Sequence, residues 1–155
     1  MQFCLMKKLD FPNFKFRIKN KENTDYIFDI VRKKWFVLTS EEWVRQHCIH
    51  FLVYVKCYPI SLINVEKKVL VNNLIKRYDI IAYSSNGKVL LIVECKGSNI
   101  KISQKTFDQI ARYNLVLKST YLMISNGLSN YFCKVNYKHN NYTFLDNLPE
   151  YKSIN

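Results

Sequence analysis

The sequence predicts an α/β (α+β) fold in which a mixed β-sheet is flanked by helices, in the order α-β-β-β-α-β. Three observations carry this. Residues 77–97 read as two strands about a tight turn, with β-branched and aromatic residues over 78–83 and Ser84-Ser85-Asn86-Gly87 between them. Asn-Gly is the strongest short hairpin signal, because both residues tolerate positive φ. Residues 89–93, Val-Leu-Leu-Ile-Val, form a continuous apolar run, as expected of a strand covered on both faces. Helical signatures flank this hairpin, and a β-α-β crossover after an antiparallel meander makes the sheet mixed.

The 155 residues suit one domain, with 1–38 as an N-terminal extension of one or two strands and 39–151 as the core. An apolar fraction of 48% with 15% aromatics excludes a disordered chain. Lys and Arg number 24 against 12 Asp and Glu, a net charge of +12. Such an excess favours a polyanion, nucleic acid first and an anionic membrane second. Solubility and an AT-rich coding bias, which the two alanines and abundant Lys, Asn and Ile suggest, would produce the same excess. The five cysteines (Cys4, Cys48, Cys57, Cys95, Cys133) include no C-x-x-C pair and read as reduced, buried thiols. There is no run of 18 apolar residues and no secretory h-region over residues 1–9, so a cytoplasmic protein without a membrane span is expected.

The elements follow in order. Residues 14–19, Phe-Lys-Phe-Arg-Ile-Lys, alternate as a half-exposed strand does. Arg32-Lys33-Lys34-Trp35 could touch phosphate and stack on a base, or be a solvated basic loop with a packed Trp. Thr39-Ser40-Glu41-Glu42 starts a helix, with a hydroxyl N-cap and acids in the first turn. Val44, Cys48, Phe51 and Val55 make its buried stripe; Glu41 falls on that stripe and Glu42 points elsewhere. Glu41 can equally pair with Arg45 at i,i+4. Cys57-Tyr58-Pro59 closes the helix, and His47 and His50 read as packing or surface residues. Residues 61–71 are a strand, in which Glu66 reads as a surface partner of a lysine or as a further site acid, and Asn72-Asn73 is a turn. Ser103 caps a helix to about residue 118, with Ile102 and Phe107 as a hydrophobic staple. Residues 121–125 are a buried strand stopped by Asn126-Gly127. Residues 131–137 and 142–145 are late strands, and the tail after Pro149 is expected to fray.

One constellation points to chemistry. Asp79 lies near the start of one strand of the hairpin, and Glu94-Cys95-Lys96 ends the other. Alternation puts Glu94 and Lys96 on one face and Cys95 on the other. Two carboxylates about 4 Å apart repel by roughly 4 kcal/mol at an effective dielectric near 20, and bound Mg²⁺ or Mn²⁺ removes that penalty and can ionise a water. A cross-strand Asp–Lys pair beside an unrelated Glu fits the same spacing. Gln109 and Tyr113, i,i+4 neighbours on the second helix, can hydrogen-bond a phosphate or form a surface pair.

Taken together, Glu41-Glu42-Trp43-Val44-Arg45-Gln46, Val65-Glu66-Lys67, Lys76-Arg77-Tyr78-Asp79-Ile80, Val93-Glu94-Cys95-Lys96 and the run from Phe107 to Asn114 resemble the N-terminal domain of type I restriction enzyme R subunits, in the short bacterial version that occurs alone. The likeness covers roughly residues 27–151 and implies the restriction-endonuclease-like fold of the PD-(D/E)xK superfamily. It implies a Mg²⁺-dependent endonuclease acting on DNA, in which Asp79 and Glu94 ligate the metal with the Cys95 carbonyl. Lys96 would be the catalytic lysine, Glu41 the first-helix acid four residues before Arg45, and Gln109 and Tyr113 the Q-x-x-x-Y element. Tyr78 stands where the motif has proline, and no G-x-x-x-x-G-K-[ST] P-loop occurs in this chain. ATP-driven translocation therefore does not carry over. A silent nucleic-acid-binding module, or a docking subunit for a motor or specificity subunit encoded elsewhere, is the alternative.

Overall fold

Two antiparallel or mixed sheets and two main helices build the chain. The structure, a computed structural model, describes residues 6–154 apart from the side chains of residues 113 and 115. A three-stranded antiparallel sheet comes first, of β1 (Ile18–Lys21), β2 (Thr24–Asp29) and β3 (Lys34–Val37). The extension thus holds three strands in the order β1-β2-β3. Helix α1 (Ser40–His50) continues as a π-helical turn, Phe51–Val55. Then come β4 (Ile63–Val71), β5 (Leu74–Tyr83), β6 (Val89–Cys95), α2 (Gln104–Asn114), β7 (Tyr121–Ser125), β8 (Asn130–Asn136) and β9 (Asn141–Leu145).

The large sheet has the order β4-β5-β6-β7-β8-β9. Only β6 and β7 run parallel, because α2 carries the chain back across the sheet between them. The sheet is therefore mixed, and the α-β-β-β-α-β order is the one the sequence predicts. Val44, Cys48 and Leu52 of the first helix pack on one face with Ile80, Leu91, Val93 and Met123. Phe107, Ile110 and Ala111 of α2 pack on the other with Ile81, Ile92, Leu122 and Ile124. Residues 91–93 of β6 and 121–124 of β7 enter the two cores alternately, and Leu90, at the register shift opposite Ala82 and Tyr83, joins Leu91 in the first, which is why 90–93 and 121–124 are unbroken apolar runs. Each such side chain contributes about 1.5–3 kcal/mol on burial.

The caps form as the sequence predicts. Thr39 Oγ1 accepts from the Glu42 amide at 3.0 Å, and Ser103 Oγ accepts from the Thr106 amide at 3.2 Å. Ile102 and Phe107, both buried, meet in the second core. The hairpin turn differs in type. Of Asn86 and Gly87 only Gly87 takes positive φ, at 82°. The Gly87 amide returns to Ser84 O, and the Ser84 amide reaches Lys88 O, a longer loop closed by the Ser84 and Asn86 side chains. Two-residue turns with both residues left-handed occur instead at Glu22-Asn23, at 51° and 60°, and at Asn72-Asn73, at 49° and 64°.

Helix α1 is buried nearly all round, Glu42, Arg45, Gln46 and His47 included, so a single buried stripe understates it. The N-terminal sheet and the segment before it cover its second side. Phe16 packs on Trp43, His47 and His50 at 4.9, 4.7 and 4.5 Å. Both histidines are packing residues whose Nδ1 atoms bond backbone oxygens one turn back. The tail is docked rather than frayed: Tyr151 lies 5.4 Å from Tyr58, its amide bonds Lys56 O, and Leu148 is buried. Cys48, Cys95 and Cys133 are buried free thiols, Cys57 is exposed, and Cys4 lies outside the described residues. No helix among the described residues is long and apolar enough to cross a membrane.

Candidate active site

Asp79 sits where the β5–β6 ladder stops. The last paired residues at this end are Ile80 and Val93. One step further, Asp79 Oδ2 takes the Cys95 amide at 2.8 Å in place of a ladder carbonyl. The pleat is broken here: Tyr78 and Ile80, two residues apart, enter opposite cores. On β4 the pairing runs Val65↔Ile80 and Lys67↔Tyr78, and Glu66 between them holds φ at 54°. A non-glycine residue in that region stores strain, and such strain clusters at functional sites.

Glu94 and Lys96 share one face, and Cys95 is buried on the other. Lys96 Nζ lies 3.2 Å from Glu94 Oε1. Burial raises the Glu94 carboxyl above its usual range, the negative charge of Asp79 raises it further, and Lys96 only partly offsets this. Burial works against the Lys96 charge, but Glu94, with Asp79 and Glu41 behind it, holds that ammonium above its ordinary value. The two acids and the lysine of the sequence motif therefore share one field. The Cys95 thiol, facing Cys48, is pushed well up by that contact and by burial.

Arg45 is the centre that sequence reasoning missed. Its Nη2 lies 2.8 Å from Glu41, 2.9 Å from Asp79 and 3.3 Å from Glu66, and its Nη1 bonds Glu42. Burial disfavours its charge, but Asp79 and Glu42 more than restore it. Glu41 does pair with Arg45, and its side chain stays 48% exposed. Glu42, expected to point elsewhere, is the buried one, 7% exposed and held by Arg32, Arg45 and Gln46. Arg32 is likewise drawn inward, to Asp29 and Glu42, rather than out with Lys33 and Lys34. Glu66 pairs with Arg45 and Arg77, not with a lysine. These partners sit on elements distant in sequence, so helical period alone could not assign them.

Beside Glu94 and Lys96 opens a cavity of about 290 Å³, lined also by Lys76, Arg77, Thr106, Gln109 and Asn114. Gln109 thus joins the strand residues; the side chain of Tyr113 lies outside the described residues. Asn114 reads as a core position by period and is buried, yet neither amide atom has a partner. A buried unpaired amide costs about 1–3 kcal/mol. Among the described residues no group of three or more His, Cys, Asp or Glu is arranged to hold a metal ion. The donors that a cation would meet are the carboxylates of Asp79 and Glu94, the latter raised by burial and by the charge of the former, and the Cys95 backbone. An all-oxygen set of this kind suits a hard divalent ion, which keeps several of its waters.

No curated protein matches this chain. In structure it is similar to a fragment assigned to the HsdR subunit of a type I restriction enzyme from Vibrio vulnificus YJ016, with a TM-score of 0.54 at 15% identity. That alignment covers 74% of this chain and 24% of the other, so the chain spans about a quarter of that fragment's length and the likeness concerns the fold. Residues 40–149 match the family described as type I restriction enzyme R protein N terminus (HSDR_N). This span takes in α1, the whole six-stranded sheet, α2 and Asp79, Glu94, Lys96 and Gln109, and the chain belongs to that family.

Proposed function

We propose that the chain is a Mg²⁺- or Mn²⁺-dependent DNA endonuclease domain of the PD-(D/E)xK kind. The observation that carries this is the shared field of Asp79, Glu94 and Lys96 at a strand end, beside a cavity edged by Lys76, Arg77 and Gln109. Asp79, Glu94 and the Cys95 carbonyl are the groups that would hold the ion. The ion would supply polarisation of a phosphate oxygen and ionisation of a water. Lys96, kept charged by Glu94, sets an ammonium against the charge that develops on phosphorus-bound oxygen. Arg77 gives the DNA backbone a cation at the cavity wall, and Gln109 offers an amide to a phosphate. Arg45 holds the Asp79 carboxylate in place through Oδ1 while the Cys95 amide holds Oδ2.

The test is nicking of supercoiled plasmid with Mg²⁺ by the wild type, Asp79→Ala and Lys96→Ala. Metal-dependent nicking by the wild type alone supports the reading. No nicking by any of them, or equal nicking by all, overturns it.

A second reading is favoured by one observation: Arg45 already neutralises Asp79 without a metal. On it the domain is catalytically silent, and binds DNA or docks a separate motor or specificity subunit in the cytoplasm. Salt-sensitive DNA binding with no metal-dependent turnover selects that reading.

A further inference from the structure

We propose that the outward face of the β1–β3 sheet is a binding site for single-stranded nucleic acid, separate from the Asp79–Glu94–Lys96 notch. The register aligns Lys19, Tyr26 and Val37 in one cross-strand row and Phe28 with Trp35 in the next. Arg17 extends the second row, since the Phe28 amide bonds Arg17 O at 2.9 Å. Side chains two apart share a face, so Arg17, Lys19, Lys21, Tyr26, Phe28, Trp35 and Val37 lie together.

The contacts bear this out. Phe28 and Trp35 meet edge-on at 5.4 Å. The Arg17 guanidinium lies 4.2 Å from the Phe28 ring, and the Lys19 ammonium 4.2 Å from the Trp35 ring. The opposite face carries Ile27 and Asp29, both buried, and Asp29 Oδ2 accepts from Gln46 of α1. Lys34, opposite Asp29 in the register, is exposed on that second face, so the outer face, with Arg17, Lys19 and Lys21, is the more basic of the two. The one acid beside the outer row, Glu22, is 3.9 Å from Lys21 with both groups mostly exposed, and such a pair is weak.

This chemistry selects the occupant. The chain carries an excess of twelve positive charges, and Arg17, Lys19 and Lys21 are exposed in a line. Their spacing is about 6.8 Å per two-residue repeat, twice the roughly 3.4 Å rise per nucleotide of one strand in a stacked duplex. An extended strand with unstacked bases can follow that line, and its phosphates take the cations from the rings. The freed faces of Phe28 and Trp35 then stack on bases, which a duplex hides between its pairs.

The test is equilibrium binding of the full chain in EDTA to labelled oligothymidine, oligouridine, and the duplex of the same length. Oligothymidine or oligouridine binds more tightly than duplex, and the two arms tell DNA from RNA. Trp35 fluorescence is quenched, and Trp35→Ala weakens binding about tenfold or more, as loss of one stacking platform does. Lys19→Gln and Lys21→Gln change only exposed side chains, so folding survives, and each flattens the salt dependence by about one phosphate contact. Duplex binding as tight as single-strand binding overturns the proposal. So does indifference to these three substitutions, or binding to phosphatidylserine vesicles in place of oligonucleotide. The assay contains no divalent ion, so its failure leaves the nuclease reading standing, and failure of cleavage leaves this one standing.

Discussion

Arg45→Met removes the charge that four carboxylates share while keeping a side chain of similar reach. Its worth can be apportioned by exposure. Glu41 is 48% exposed, and its i,i+4 pair contributes about 0.3–0.5 kcal/mol. Glu42 keeps Arg32 and Gln46. Asp79, 15% exposed, is left with the Cys95 amide alone, and Glu66 with Arg77 at 3.5 Å. Stripping one partner from a buried pair costs about 3–5 kcal/mol, a large part of the roughly 5–15 kcal/mol that holds a domain folded. The assay is urea unfolding followed by circular dichroism. At neutral pH the variant should lose about 3–5 kcal/mol relative to the wild type. Its unbalanced carboxylates ionise less readily folded than unfolded, so the deficit should shrink as pH falls through the carboxylate range. Mn²⁺ should restore more stability to the variant than to the wild type, because a cation then has unbalanced acids to bind. A deficit below about 1 kcal/mol that is the same at all pH values would refute Arg45 as the centre of the acid cluster.

Three further outcomes follow from the same geometry. Glu94 has its carboxyl raised by burial and by Asp79, so its contribution is fully present at low pH and is lost as pH rises through its folded value. Glu94→Gln should therefore gain stability over the wild type at neutral pH but not in acid, while abolishing metal-dependent nicking; equal urea midpoints at both pH values would contradict this. Asn114→Leu relieves two unpartnered buried amide atoms and should raise stability by about 1 kcal/mol while lowering nicking; a loss of stability would mean that the amide is satisfied. His47, pushed down to about 4 by burial, is neutral when folded, so its contribution is present above the ordinary histidine range and is lost as pH falls toward that value. Its imidazole protons should titrate near 4 by NMR; titration near the ordinary value of about 6.5 would refute the burial.

The sequence by itself determined the order of the core elements, both N-caps, the staple over α2, the two-sided burial of β6 and the placing of Glu94 and Lys96 on one face of it. These are signals of period and nearest neighbour. Hydroxyls fall one turn before their amides, five apolar residues stand in a row, and Glu94-Cys95-Lys96 alternates across a pleat. Only the tertiary structure decided which acid of the Glu41-Glu42 pair is buried, because the answer depends on a second sheet that supplies Arg32 and Asp29 to the far side of α1. It likewise decided that Arg45 gathers Glu41, Glu42, Glu66 and Asp79, and that the buried amide of Asn114 is left unpaired beside the cavity. A charge draws partners from wherever the chain passes within a few ångströms, and that distance is set by packing, whereas a turn or a cap is set by residues already adjacent along the chain.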